Sequence, residues 1–123
     1  MELETIRHYC LSKRCVTECF PFDEQPLVVK VMDKMFAVLP LDNAEWLTVK
    51  CDPDRAIALR DEYTDIQPAY HFNKRHWNQL RHAGLSDALV AELIDHSYDL
   101  VVSKLPKRVR EEMGAMETAE NKK

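Results

Sequence analysis

The stretch LVVKVMDKMFAVLPLDNAEWLTVKC, residues 27–51, decides the fold class. Leu27 to Met32 is a β-branched run of the kind that packs well on a pleated surface. Asp33-Lys34 reads as a turn. Met35 to Leu41 is apolar almost throughout and too short for a typical buried helix, so it reads as a strand covered on both faces. Leu47, Val49 and Cys51 then alternate with Trp46, Thr48 and Lys50, the period of 2 of a strand with one covered face. Three such strands joined by short links imply an antiparallel meander.

Outward from this stretch the periods change. Leu3, Ile6 and Cys10 fall at helical spacing, which predicts a helix over about Glu2 to Lys13. Asp52-Pro53-Asp54 is a helix start, because Asp can accept from the free N–H groups and Pro needs no N–H at the first position. Ala56, Leu59 and Tyr63 supply that helix's buried stripe. Ile66 to Gly84 reads as a loop followed by a short strand at Trp77 to Arg81. Ser86 caps a last long helix whose apolar stripe runs Leu89, Leu93, Ser97, Val101, Leu105, and Pro106 ends it. A short helix from Lys107 to Met113 follows, and the polar stretch 114–123 reads as a flexible tail. The order predicts a single α+β domain over 1–113, with helices packed on an antiparallel sheet.

The bulk numbers narrow the function classes. The chain has 123 residues, 46% of them hydrophobic and 31% charged, which are ordinary values for one domain. The start Met1-Glu2-Leu3-Glu4 lacks the layout of a secretory signal, and no apolar run approaches the roughly 20 residues that span a bilayer, so a cytoplasmic protein without membrane contact is expected. Cys10, Cys15, Cys19 and Cys51 form no CxxC pair and read as small apolar residues.

The net charge of −4 at first argues against a polyanionic partner, yet the charges are unevenly spread. No Asp or Glu occurs from Ile66 to Ser86, which carries Lys74, Arg75 and Arg81. None occurs from Leu100 to Arg110, which carries Lys104, Lys107, Arg108 and Arg110. These stretches hold seven of the 17 Lys and Arg residues. Within the first, Tyr70-His71-Phe72-Asn73-Lys74-Arg75-His76-Trp77-Asn78 mixes cations, amides and flat rings, the combination that contacts phosphates and stacks on bases. The competing reading leaves the aromatics as core and the cations as solvated. For the second stretch, cations also suit the negative end of the preceding helix.

Catalytic readings find little support. His71 and His76 lie five apart, a spacing that matches no standard zinc pattern, and neither Cys nor acid stands between them. Ser and Cys occupy no nucleophile motif, and with only Gly84 and Gly114 a glycine-rich phosphate loop is excluded. No metal, cofactor or enzymatic activity is expected. Asp95-His96-Ser97-Tyr98-Asp99 reads as scaffold within the long helix.

His71 to Asn78, together with His96-Ser97-Tyr98-Asp99-Leu100-Val101, resembles the MmcQ/YjbR family. Phe20-Pro21-Phe22, Lys30-Val31, Lys34-Met35-Phe36-Ala37 and Lys50-Cys51-Asp52-Pro53 extend the resemblance over nearly the whole chain. It implies a frataxin-like (CyaY-like), double-wing α+β fold and a role in binding DNA, carried here onto His71, Asn73, Lys74, His76 and Trp77. Asp33, and Gln25-Pro26, stand where the family has glycine-containing turns at its wing tips.

The leading expectation is therefore a non-enzymatic DNA-binding module using Tyr70 to Arg81. The alternative is a pocket on the same loop for a small anion or a protein partner, which requires His71, Asn73, Lys74 and His76 to converge. Iron handling, suggested by fold analogy alone, lacks a ridge of acids.

Overall fold

The computed structural model describes residues 1–20, 26–40, 45–70 and 72–121, with 115–121 described as backbone only. The three strands expected from residues 27–51 form as β2 (Leu27–Val31), β3 (Lys34–Leu39) and β4 (Trp46–Lys50), and they do run as an antiparallel meander. Two strands the sequence reading did not supply complete the sheet. β1 (Val16–Cys19) pairs with β2 at one edge, and β5 (Ile66–Pro68), read above as loop, pairs with β6 (Trp77–Arg81) at the other. After β4 the chain crosses through α2 (Pro53–Glu62), lays down β5 and returns as β6 between β4 and β5, giving the order β1-β2-β3-β4-β6-β5.

The β2–β3 turn sits one residue earlier than expected, on Met32-Asp33, with φ of 47° and 69°. Positive φ at both positions is what a two-residue hairpin needs to match the strands' twist. Asp tolerates that region through local hydrogen bonding, whereas Met gains nothing from it. Residues 21–25, between β1 and β2, and 41–44, between β3 and β4, lie outside the described residues, and with them Gln25 of the wing tip expected at Gln25-Pro26.

α1 (Leu3–Leu11), α2 and α3 (Asp87–Ser103) contribute to one core with the sheet. Leu27, Val29 and Val31 from β2, Leu47 and Val49 from β4, and Leu80 from β6 meet Ile6, Ala56, Val90, Leu93 and Ile94 from the helices. The two predicted caps are in place: Asp52 Oδ2 accepts from Arg55 N at 3.2 Å and Ser86 Oγ accepts from Leu89 N at 3.1 Å. α4 (Lys107–Asn121) continues past Met113, where the reading ended it. The Glu, Ala and Met of that stretch are good helix formers, which a reading based on an apolar stripe undervalues.

Four members of the polar run of α3, Asp95 to Tyr98, act as scaffold and tie the helix to its neighbours. Asp95 accepts from Tyr9 Oη at 2.7 Å and pairs with Lys13, tying α3 to α1 and the turn after it. His96 Nε2 accepts from Asp52 N at 3.2 Å, and Tyr98 Oη donates to Arg14 O at 2.7 Å. Ser97, fully buried, donates to Phe36 O at 2.6 Å and accepts from Lys50 N at 2.9 Å. The β2–β3 register shifts in this region, so that Lys30 faces Met35 while Val29 faces Ala37, leaving Phe36 as the extra residue of a bulge. The β3–β4 pairing extends only over Ala37↔Val49 and Val38↔Thr48. Ser97 thus satisfies the two backbone groups where the ladder stops.

Removing that hydroxyl strands a buried carbonyl and a largely buried N–H. Ser97→Ala is expected to cost about 2 kcal/mol in denaturant unfolding, with far-UV circular dichroism unchanged in the folded baseline. A second expectation concerns pH. Burial, and after it the charge of Arg55, holds the His96 imidazole below its ordinary value. The unfolded chain takes up that proton near pH 6.5, whereas the folded chain resists it. The stability linked to His96 is therefore present above about pH 6.5 and lost as pH falls through the lower folded value. His96→Gln, which keeps an acceptor for Asp52 N, should flatten this part of the stability–pH curve measured by thermal melting.

Candidate functional site

The register places three rows of side chains on the sheet face away from the helices. Trp46 is opposite Arg81, Thr48 is opposite Gln79, and Lys50 is opposite Trp77. Across the sheet the middle row continues from Gln67 through Gln79 and Thr48 to Val38, Val28 and Cys19. Thr17, Lys30 and Met35 share this face by the same pairing. None of these strand residues is Asp or Glu. The central Val28, Val38 and Thr48 are buried, while Trp46 and Lys50 are half-buried and Arg81 is exposed.

Both ends of the β4–β6 pair carry a cation over an aromatic ring. The Arg81 guanidinium lies 4.9 Å from the Trp46 ring centre, and the Lys50 ammonium lies 6.0 Å from that of Trp77. Facing cross-strand pairs of this kind are within contact range because directly opposed Cβ atoms are about 5 Å apart. Arg81 also approaches Asp65, at 4.0 Å. Burial, and after it the charge of Lys104, holds the Lys50 ammonium below its ordinary range.

The loop before β6 is pinned at both ends. Cys51 N donates to His76 O at 2.8 Å and Ala69 N donates to Trp77 O at 3.2 Å, while Arg60 Nη2 supports the tip through Lys74 O at 2.9 Å. Asn73, a candidate contact residue, also shapes the turn: its Oδ1 accepts from Arg75 N at 3.0 Å. Trp77, expected to stack or support, is a supporting wall; it is buried, with Phe72 against it at 5.3 Å between centroids. What the loop presents to solvent is Tyr70, with Lys74 5.2 Å from its ring centre, together with Asn73 and Arg75. His76 is half-buried beside them, and His71 lies outside the described residues.

The second basic stretch divides. Lys104 ends α3 and lines a recess with Lys34, Lys50 and Trp77, whereas Lys107, Arg108 and Arg110 are exposed on the first turn of α4. Of the described loop residues singled out by sequence, the recess includes Trp77 alone. Lys34, Lys50 and Trp46 were missed as site residues. The alternation of Trp46, Thr48 and Lys50 was visible, but their facing partners on β6 become apparent only once β6 is known to return beside β4.

Burial pushes the Cys51 thiol, next to Lys50, up to about 11, so it stays protonated near neutral pH. Asn78 anchors β6 to α2, its Nδ2 donating to Ala56 O at 3.3 Å, and its Oδ1 has no partner among the described residues. No three His, Cys, Asp or Glu side chains among the described residues gather into a metal-sized cluster.

Comparison with known proteins sets this geometry in a family. The YjbR family model matches residues 11–100, and the chain belongs to that family. It is 30% identical over 112 residues to Uncharacterized protein YjbR of Escherichia coli K12, covering 89% of this chain and 95% of that one. It is 34% identical over 107 residues to Uncharacterized protein YbdF of Escherichia coli O157:H7, covering 85% and 88%. A crystal structure from Deinococcus radiodurans, of a protein with domain DUF419, superposes with a TM-score of 0.84 at 35% identity, covering 92% of this chain and 88% of that one. A Pseudomonas syringae structure matches at TM-score 0.69 and 22% identity, over 81% and 98%, and shares the fold. The family and the α+β class expected from the sequence are therefore both established. No helix among the described residues is long and apolar enough to cross a membrane.

Because the Asn73 amide oxygen holds the turn, Asn73→Ala should loosen the loop. The expected cost is about 0.5–1 kcal/mol, with faster amide hydrogen exchange at Arg75 and His76 and little change in α3.

Proposed function

We propose that this YjbR-family protein is a DNA-binding module that takes up single-stranded segments along the loop before β6 and the outward face of β4 and β6. The observation that carries the reading is the segregation of charge. In a chain with 21 acids against 17 Lys and Arg residues, the strand residues assigned to the outward face include no acid. Lys74 and Arg75 extend that face as exposed cations, and Tyr70 and Trp46 add flat surface at its margins. A sheet face with cations beside aromatic rings suits single strands, whose backbone follows the charges and whose bases can stack.

The reading is of binding and not of catalysis: the nearest thiol, Cys51, is held protonated, and the Asn73 amide oxygen is spent on the turn. The net charge of −4 makes the interaction weak and strongly dependent on salt.

The test is fluorescence anisotropy with labelled single-stranded and duplex DNA across a salt series. The wild type should bind at low salt, single strands the more tightly. Lys74→Ala/Arg75→Ala should bind more weakly, and its log–log salt slope should be shallower by about 1.4, since each single-strand phosphate contact contributes about 0.7. Absence of any complex at low salt would overturn the reading, as would a double variant with unchanged slope.

A further inference from the structure

Where α3 ends beside the sheet, the structure holds a recess of about 310 Å³, at the small end of ligand-sized pockets. Three lysines from three elements line it: Lys34 opens β3, Lys50 closes β4 and Lys104 caps α3. The remaining wall is Trp77 with Met35, Val101 and Leu105, and no acid among the described residues takes part. None of the three lysines has an acidic partner among the described residues, although other cations of the chain do: Arg7 is paired with Glu18, Arg55 with Glu92 and Lys13 with Asp95. The negative end of α3 accounts for one cation near Lys104. It does not account for Lys34 and Lys50, which belong to strands.

Gathering three ammonium groups without a counter-charge is unfavourable, and the burden is visible at Lys50, whose charge is disfavoured by burial and by Lys104. An anion entering the recess would relieve it. The partial negative charge of the α3 terminus, about half a unit, opposes an anion but is outweighed by three full positive charges. Compact ammonium groups suit phosphate as point charges, and a phosphate monoester carries close to two negative charges near neutral pH. The apolar wall calls for more than a bare ion.

We propose that this recess is a binding site for a small organic phosphate, with the phosphate among Lys34, Lys50 and Lys104 and an apolar or aromatic body against Met35, Val101, Leu105 and the edge of Trp77. The site shares Lys50 and Trp77 with the outward face of the sheet but does not rest on DNA binding. Its lysines are positioned by the fold itself. Lys50 N is held by Ser97, Lys50 faces Trp77 across the β4–β6 ladder, and Lys34 follows the tight Met32-Asp33 turn.

The experiment is a ¹H–¹⁵N chemical-shift titration of the full chain with adenosine monophosphate, with adenosine and inorganic phosphate as controls. The monophosphate should shift the amides of Lys34, Met35, Lys50 and Lys104 and the Trp77 indole saturably, while adenosine leaves them in place. Lys104→Gln should weaken binding about tenfold, the size of one lost charged contact, with the rest of the spectrum unchanged as a check on folding. Lys74→Ala/Arg75→Ala should retain it in full. Shifts that are linear and spread over α4 and the loop, no shifts at all, or full affinity in Lys104→Gln would each overturn the assignment, as would loss of binding in the loop variant. A 5′-phosphorylated dinucleotide that binds more tightly than the monophosphate through the same amides assigns the recess to a nucleic-acid end; weaker binding assigns it to a free metabolite. If the monophosphate binds and DNA does not, the DNA reading alone falls.

Discussion

The Ser97 hydroxyl joins three elements at the point where the sheet would otherwise come apart. β3 bulges at Phe36, so its ladder with β4 ends at Ala37, and the Phe36 carbonyl and Lys50 N–H face a gap between strands. Water has no access to Ser97, which is fully buried, so the groups must be satisfied by protein. The hydroxyl can donate once and accept twice, and it uses both capacities, at 2.6 and 2.9 Å. An apolar residue of similar size would fill the space and leave both groups unpaired. The position of Lys50, and through register that of Trp77, follows from this one side chain.

The same helix carries several other long-range polar ties. Asp95 reaches Tyr9 and Lys13, His96 reaches the residue that caps α2, and Tyr98 reaches the turn after α1 while its ring meets Phe36 edge-on at 5.4 Å. Apolar burial drives α3 onto the sheet but is indifferent to small rotations of the helix. Directional hydrogen bonds at four successive residues admit one azimuth. Burial supplies most of the free energy, and the polar run supplies the uniqueness of the arrangement.

How much of this was legible depended on whether a signal was local. The period-2 pattern of β4, the β-branched run of β2, the caps at Asp52 and Ser86 and the stripe of α3 are local, and each was read correctly in kind. β1 and β5 are short and belong to the sheet's edges: Val16–Cys19 has a single charged residue among small ones, and Ile66–Pro68 contains a proline, tolerated because β5 is an edge strand. Neither has a pattern of its own, and both exist because a neighbour offers hydrogen bonds. The turn was misplaced by one residue because Met32 has no intrinsic preference for positive φ; hairpin closure imposes it. At the candidate site composition picks out the loop, but not that the Asn73 amide oxygen holds the Arg75 N–H or that Trp77 is buried against Phe72. Composition identifies what a segment contains, and only packing decides which side chains remain for a ligand.

The charge pattern resolves an apparent conflict between an acidic chain and a basic surface. Several acidic side chains on the helical side are matched in place. Glu18 holds both ends of the Arg7 guanidinium, at 2.6 and 2.9 Å, and Glu92 and Asp95 take Arg55 and Lys13. Such exposed or partly exposed pairs add little stability each, but they remove cations and anions from the long-range field together. Five cations without acidic partners among the described residues, Lys34, Lys50, Lys74, Arg75 and Lys104, lie around Trp77 and on the loop that leads to it. At physiological salt a surface charge is felt over about 8 Å, so an approaching anion responds to this local group and not to the total of −4. In a net negative chain, a local group of cations without acids favours an anion there while the remaining charge disfavours indiscriminate contact with polyanions.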